Sequence, residues 1–502
     1  MSVLDNLSLG FATALTLQNL TMAAVGCTVG TLVGVLPGIG PLATIAMLLP
    51  LTYYFPPETA LIMLAGMYYG AQYGGSTSAI LVNLPGESSS AVTCIDGHQM
   101  AINGRGGAAL ATAALASFVA GTLSTFVVAF FAAPLAYVAV RFTAADYFSL
   151  MLFGAVGAVA LSSGSPLKSV GMVLLGIMLG GVGTDLYTGT ERYALGVRKL
   201  VDGIDFVPLA IGLFGVADIM ANLMRDEAKA FIVSSRLSEL LPSRAEFRAG
   251  FPAALRGSVI GSILGILPGG GATLASFASY GVEKKLSASP ERFGRGAIEG
   301  VAGPEAANNA GAQTSFIPML TLGIPSNPVM AVIIGALLIQ GIVPGPDVLA
   351  QRPSLVWGLI ASMWIGNVML VIINLPLIGI WIRLLRIPYD ILFPAIILFC
   401  CIGAYSLTLS SADIFIAIFF AVLGLALSRF DCPPAPLALG FIIGPMMEEH
   451  FRRAMLLSRG SLGILVTSPI SLVLLLATLA LAISMAVPSL AALRKTAFES
   501  ED

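Results

Sequence analysis

Two polar runs interrupt an otherwise apolar chain, and both carry side chains that bind small ions. The first reads GAQYGGSTSAILVNLPGESSS, residues 70–90; the second reads PEAANNAGAQTSFIPMLTLGIPSNP, residues 304–328. Hydroxyls, amides and freed backbone carbonyls supply the oxygen ligands that a hard cation such as Na+ takes. The amides of Asn83, Asn308, Asn309 and Gln313 are therefore the expected ion ligands. Ser76, Thr77, Ser78, Thr314, Ser315, Ser326 and Asn327 are the groups expected to meet a substrate. Polar clusters of this kind are costly in lipid, so they face a cavity or tie helices together. No Lys or Arg lies inside either run. An anion would meet helix N-termini, hydroxyls and bound cations here, with Arg105 and Arg352 as the nearest basic side chains. Glu87, Asp96 and Glu305 are the adjacent carboxylates. Each could ligate sodium or carry a proton, and a solvated loop position suits Glu87 and Asp96 equally well.

A second pair of motifs belongs with these runs. Gly26, Gly30, Gly34 and Gly38 form a ladder four residues apart, and Gly257, Gly261, Gly265 and Gly269 repeat it. The ladders end in VGVLPGIG at 33–40 and LGILPGGG at 264–271. Pro37 and Pro268 lack an N–H, and the glycines beside them tolerate positive φ. A helix that stops there frees carbonyls. The helix that follows presents N–H groups and a positive dipole end, which favours a carboxylate. The ladder glycines alone suit close helix packing. The Pro-Gly endings, at Gly38 and Gly40 and at Gly269 and Gly271, are the expected substrate contacts, together with Pro85, Gly86 and Pro325.

The elements that must position these motifs are membrane helices. Of 502 residues, 57% are hydrophobic and 10% charged, with a mean hydropathy of +0.92. Soluble chains carry about 25% charged residues. Apolar runs recur along nearly the whole length, enough for on the order of 12 spans. The reading is an all-α polytopic membrane protein with broken or re-entrant segments. The net charge of −2 leaves no basic surface for nucleic acid. The five cysteines have neither metal nor disulfide spacing, which reads as small buried hydrophobes. No basic segment opens the chain, so no cleavable signal peptide is expected.

The duplication extends past the ladders. GAQ at 70–72 recurs at 311–313, and Ala116-Ser117 with Gly121 recurs as Ala361-Ser362 with Gly366. Two repeats are expected, at 11–224 and 257–487, joined by a linker at 225–256 and followed by a polar tail at 488–502. The linker holds six Lys/Arg, and Lys284, Lys285, Arg292 and Arg295 follow the second ladder; residues 1–104 hold none. The positive-inside rule then puts both flanks of the second break in the cytoplasm and both flanks of the first outside. Matched elements with opposite charge bias are what an inverted repeat predicts.

GTLVGVLPGIGP, the GGSTSAILVNLPGE…DGHQMA stretch and SFIPMLTLGIPSNPVMAVIIGALLIQGIVPGP together resemble the large membrane subunit of tripartite tricarboxylate transporters, the TctA family. The resemblance covers roughly residues 10–490. It implies a secondary transporter of the bacterial inner membrane for citrate-like carboxylates, driven by a sodium or proton gradient without another cofactor. It also implies a small TctB-like membrane subunit and a periplasmic TctC-like solute-binding protein. Three places depart from the family's usual residues: Ser326-Asn327 for Gly-Ser, Gln340 for His, and His98 for Tyr. All border the expected site. An ATP-driven pump is excluded because no Gly-Lys pair occurs. Only His98 and His450 could serve an intramembrane protease, and neither sits in a catalytic motif. A passive anion channel is the remaining rival, since it could use the same broken helices.

Overall fold

The computed structural model describes the chain except residues 1–2, 37–39, 140, 162–164, 186, 218–219, 221–241, 268–270, 385–393, 395–396, 399, 403, 406–408 and 487–502. The described residues are mostly helical, with one two-residue strand pair, Gly183–Thr184 against Glu191–Arg192. Among the described residues five helices are long and apolar enough to cross a membrane: Leu17–Val35, Ala101–Phe131, Arg244–Ile266, Pro353–Asn374 and Ser411–Arg429. Shorter apolar helices, among them Pro166–Gly180, Pro328–Ile339 and Pro469–Met485, lie between and around them.

The glycine ladders explain how the centre packs. The first ladder helix, Leu17–Val35, lies along the first polar helix, Pro57–Val82. A Cβ on Gly26, Gly30 or Gly34 would fall onto the carbonyl of Met63, Met67 or Ala71. The second ladder helix, Arg244–Ile266, lies along the second polar helix, Glu299–Thr314, in the same way. There Gly257, Gly261 and Gly265 face the carbonyls of Gly303, Ala307 and Gly311. Contacts advance by four residues on both helices of each pair, so ladder and polar helix run parallel. Only the absence of a side chain lets two backbones approach this closely.

The two polar helices meet each other in the opposite sense. Ser76 touches Glu305, while Tyr69 packs on Phe316 with ring centroids 5.9 Å apart. Moving back along the first helix moves forward along the second segment, so the two are antiparallel. Both are buried almost throughout, which explains how such polar segments survive inside a membrane protein.

Each ladder helix is followed across its Pro-Gly break by another helix: Gly40–Leu48 in the first half and Gly271–Leu286 in the second. In the second half the two arms fold back on each other. Arg256 donates to Glu283 through Nε at 2.8 Å and Nη2 at 2.5 Å, closing the hairpin well below its tip. The expected linker at 225–256 needs correction at its C-terminal end. The chain is helical from Arg244, started by a Ser243–Glu246 capping box, so the second ladder helix begins inside that stretch. The first repeat is preceded and opened by two helices, Val3–Ala14 and Leu17–Val35, separated at Thr16, whose side chain caps the second. The tail 488–502 lies outside the described residues.

The remaining helices pack around this centre. Gly121 on Gly106–Ala139 abuts the Asn367 side chain on Pro353–Asn374, and Gly10 abuts the Trp357 backbone. Pro166–Gly180 meets Pro434–Leu457 through Gly176 and Gly440. Trp357 and Trp381 are buried packing residues, and Trp364 stacks on Phe11.

Candidate functional site

Each polar helix ends beside the tip of its own ladder helix. Asn83 caps Pro57–Val82 in the left-handed conformation, with φ 57°. The chain then passes Leu84, Pro85 and Gly86 over the tip of the first ladder. A Cβ on Gly86 would strike the Gly34 carbonyl, and Ser78 donates to that carbonyl at 3.4 Å and to Gly75 at 3.0 Å. Gly40 starts the next helix at φ 67°, with Gly86 as its nearest neighbour.

The second half is built alike. Ser315 donates to the Gly265 carbonyl at 3.1 Å and to Gly311 at 2.7 Å. Gly323 ends Phe316–Leu322 at φ 72°, and Ile324, Pro325 and Ser326 cross to Asn327, which caps Pro328–Ile339 by accepting from Met330 N–H at 3.0 Å. Gly271, at φ 44°, opens its helix directly against Asn327. Ladder tip, hydroxyl, crossing loop and positive-φ glycine therefore recur in one arrangement.

Three side-chain contacts bring the two junctions together. Ser88 hydrogen-bonds Thr273 at 3.0 Å, Asn327 Nδ2 reaches the Tyr68 hydroxyl at 3.4 Å, and Asn308 Nδ2 donates to Glu87 at 3.2 Å. Asn83, Leu84, Pro85 and Ser88 are exposed, while Pro325, Ser326 and Asn327 are buried. The first crossing loop is exposed and the second is buried.

Several expected site residues take these positions and others do not. Gly40, Ser78, Pro85 and Gly86 gather at the first junction; Gly271, Ser315, Pro325, Ser326 and Asn327 gather at the second. Thr314 sits against Gly265 and spends its hydroxyl on the Ala310 carbonyl at 3.0 Å. Thr77 faces the helix Gly106–Ala139 rather than a tip. Gly38 and Gly269 lie outside the described residues, as do Pro37 and Pro268.

The four expected ion ligands do not converge on one point. Asn83 is exposed at a helix end. Asn309 and Gln313, four residues apart, share a helix face that turns toward Gly106–Ala139. Asn309 donates to Ser117 at 2.7 Å, and Gln313 accepts from Ser124 at 2.9 Å and Thr125 at 2.7 Å. Gln313 also donates to Asn367 at 3.3 Å. Asn308 points elsewhere, to Glu87. Helical periodicity separates what looked adjacent in sequence.

The carboxylates divide by role. Asp96 is fully buried, not solvated: it accepts from the N–H groups of Gly294, Gly296 and Ala297 at 2.8–2.9 Å and from Tyr280 at 2.9 Å. It anchors the loop before the second polar helix. Glu87 accepts from Ser89 and Asn308 beside the first junction. Glu305 accepts from Ser76 at 2.6 Å and from Thr93. Arg105 pairs with Glu246 and Arg352 is exposed, so neither enters a junction. Gln340 donates to the Thr52 carbonyl at 2.8 Å, and His98 bonds Ile80 at 3.0 Å; both tie helix ends. Sequence reading overlooked Tyr68, Ser88, Thr93 and Thr273, whose roles depend on contacts between the halves.

Residues 20–439 match the family model described as the Tripartite tricarboxylate transporter TctA family. The chain belongs to the TctA family. A relative from Agrobacterium vitis, described as an uncharacterized 52.8 kDa protein in the TAR-I ttuC' 3' region, is 57% identical over 502 residues and covers 100% of both chains. A second from the same organism, described as an uncharacterized protein in the TAR-II ttuC' 3' region, is 58% identical over 238 residues. That match covers 47% of this chain and 98% of the relative. No solved structure matches. TctA membership makes the chain a membrane component of a tripartite tricarboxylate transporter rather than an enzyme, and implies TctB and TctC partners in general. Both junctions lie within the matched residues.

Proposed function

We propose that this TctA chain is the permease of a binding-protein-dependent system that imports citrate-like tri- and dicarboxylates across the bacterial inner membrane. A sodium or proton gradient drives the import. A TctC-like periplasmic protein delivers the substrate, and a TctB-like subunit completes the membrane part. The observation that carries this reading is the pair of like-built junctions, free of Lys and Arg, held together by Ser88–Thr273 and Tyr68–Asn327. Substrate carboxylates meet the N–H groups that open the helices at Gly40 and Gly271, and the hydroxyls of Ser78, Ser315 and Ser326.

Parallel packing inside each half, with antiparallel polar helices between the halves, supports two inverted repeats around a central site. The exposed first crossing loop and the buried second one support alternating access. The repeats are the halves expected at 11–224 and 257–487, the second preceded by the helical turns from Arg244.

The test begins with a ligand screen on the binding protein, which fixes the carboxylate. Reconstitution with both partners then measures whether that carboxylate accumulates against its gradient. Current without coupling would identify a passive channel and defeat the proposal. Gly38→Leu and Gly269→Leu test the breaks. Full transport by both, at normal expression, removes the Pro-Gly endings from the mechanism.

A further inference from the structure

Glu305 stands apart from every other carboxylate near the junctions. It is completely buried between the two polar helices. Ser76 and Thr93 each give it one hydrogen bond, and among the described residues it has no ion pair. Arg256 is paired with Glu283 and Arg105 with Glu246. The titratable groups facing it from the packed elements are Tyr73, Cys94 and Glu87, none of which brings a positive charge. Taking a carboxylate out of water without a counter-charge is costly, and two hydroxyls do not neutralise it.

Packing does not require a carboxylate at this place. With Gln72 aligned on Gln313, the position matching Glu305 in the first half is Leu64, which is equally buried. The same alignment sets Met67 and Tyr68 against Asn308 and Asn309, so the second polar helix carries polar groups where the first is apolar, and Glu305 is the one that bears a charge.

A second observation concerns the other side of Ser76. A small cavity with room for about one water molecule is lined by Tyr73, Ser76, Thr77, Ser117 and Asn374 among others. The Tyr73 hydroxyl and Asn374 Oδ1 are buried with no hydrogen-bond partner. Ser76 belongs to both features: it lines the cavity and donates to Glu305 Oε2.

We propose that Glu305, with Ser76, Thr93 and the Tyr73–Asn374 cavity, is the coupling-cation site of this transporter. A small monovalent cation, H+ or Na+, neutralises the carboxylate when the polar helices move. A proton converts the carboxylate to an acid that donates to one hydroxyl. Sodium takes carboxylate, hydroxyl and phenol oxygens. This rests on the transporter reading above, and it relocates the ion site from the amides of Asn309 and Gln313, which are spent on interhelical bonds.

The experiment uses proteoliposomes holding the chain and both partners, with labelled citrate as the first probe. Uptake is driven either by a Na+ gradient at fixed pH or by a proton gradient without Na+. The arm that gives accumulation in the wild type identifies the cation. Under that gradient, Glu305→Gln is expected to lose accumulation while keeping exchange of labelled for unlabelled substrate. Ser76→Ala with Thr93→Val is expected to raise the half-saturating cation concentration with exchange intact. Accumulation by Glu305→Gln at the wild-type level overturns the assignment. So does loss of exchange together with accumulation in a normally purified variant, which marks a purely structural role. Should Glu305→Gln not fold, an unchanged cation dependence in the Ser76/Thr93 double variant overturns it instead. Purely downhill uptake in the wild type defeats the transporter reading itself, an outcome visible before any variant is made.

Discussion

The Ser315 hydroxyl donates to the Gly265 carbonyl at 3.1 Å, tying the second polar helix to the last turn of the ladder beside it. That carbonyl lies in the last turn of the helix, where carbonyls run out of intrahelical donors. Replacing Ser315 by Ala removes the bond its hydroxyl donates and the one it accepts from Asn327 Nδ2 at 3.1 Å, and is expected to cost about 1 kcal/mol for each. Ser78 makes the matching bond to Gly34 at 3.4 Å, and its removal is expected to cost less. Thermal melting of the purified variants checks both. A Ser315→Ala midpoint equal to wild type would show that the contact does not hold the junction.

The ladders make a sharper prediction. A side chain at Gly30 or Gly261 would enter the space of the Met67 or Ala307 carbonyl, where backbone cannot yield. Gly30→Leu and Gly261→Leu are each expected to cost about 3 kcal/mol or more, the upper range for overpacking. Gly281 has open space around it, and Gly281→Leu is expected to behave as wild type. Size-exclusion profiles of the three detergent-purified variants make the comparison. Monodisperse Gly30→Leu protein would contradict the backbone contact.

Acid sensitivity should concentrate in the loop after Pro166–Gly180. The Asp185 carboxyl is lowered from 3.8 to about 2, chiefly by the Tyr187 N–H, with further help from Thr188, Arg452 and Arg192. Its pKa is lower folded than unfolded. The stabilisation is therefore complete above about pH 4 and disappears as pH falls through about 2. Asp185→Asn should remove this part of the acid dependence and leave Arg452 and Arg192 with Glu448 as their remaining shared partner. Melting midpoints measured between neutral pH and pH 2 test this. Parallel curves for variant and wild type would exclude the contribution.

Topology offers a test independent of transport. Pro56 and Lys285 are both exposed, one after each hairpin. With the five native cysteines replaced, Pro56→Cys and Lys285→Cys are expected to label from opposite sides of the membrane. Labelling from the same side would defeat the inverted arrangement.

How much of this was legible depended on the range of the interaction. The Pro-Gly breaks and the four-residue glycine spacing are local signals, because missing N–H groups and missing side chains act on adjacent backbone. The junction members Gly40 and Gly271 could be picked out on that basis, and Ser78 and Ser315 as hydroxyls of the polar runs. The arrangement of the expected ion ligands could not. Asn308 and Asn309 are neighbours in sequence, yet a helix turns them to different partners. Glu305 was visible as a carboxylate near a motif, but Ser76 and Thr93 lie 229 and 212 residues away. Asp96 looked like a loop residue because its partners, three backbone amides and a tyrosine, are not encoded near it.

Backbone-on-backbone contact leaves a ladder and its polar helix no slack. Each pair must travel as a solid bar, because sliding by less than a full turn would drive carbonyls into one another. Between the bars the contact is made by side chains instead, and there Ser76 and Thr93 grip Glu305 across the divide. Any displacement of one bar against the other must first break those bonds, so the hold between the halves is chemical rather than steric.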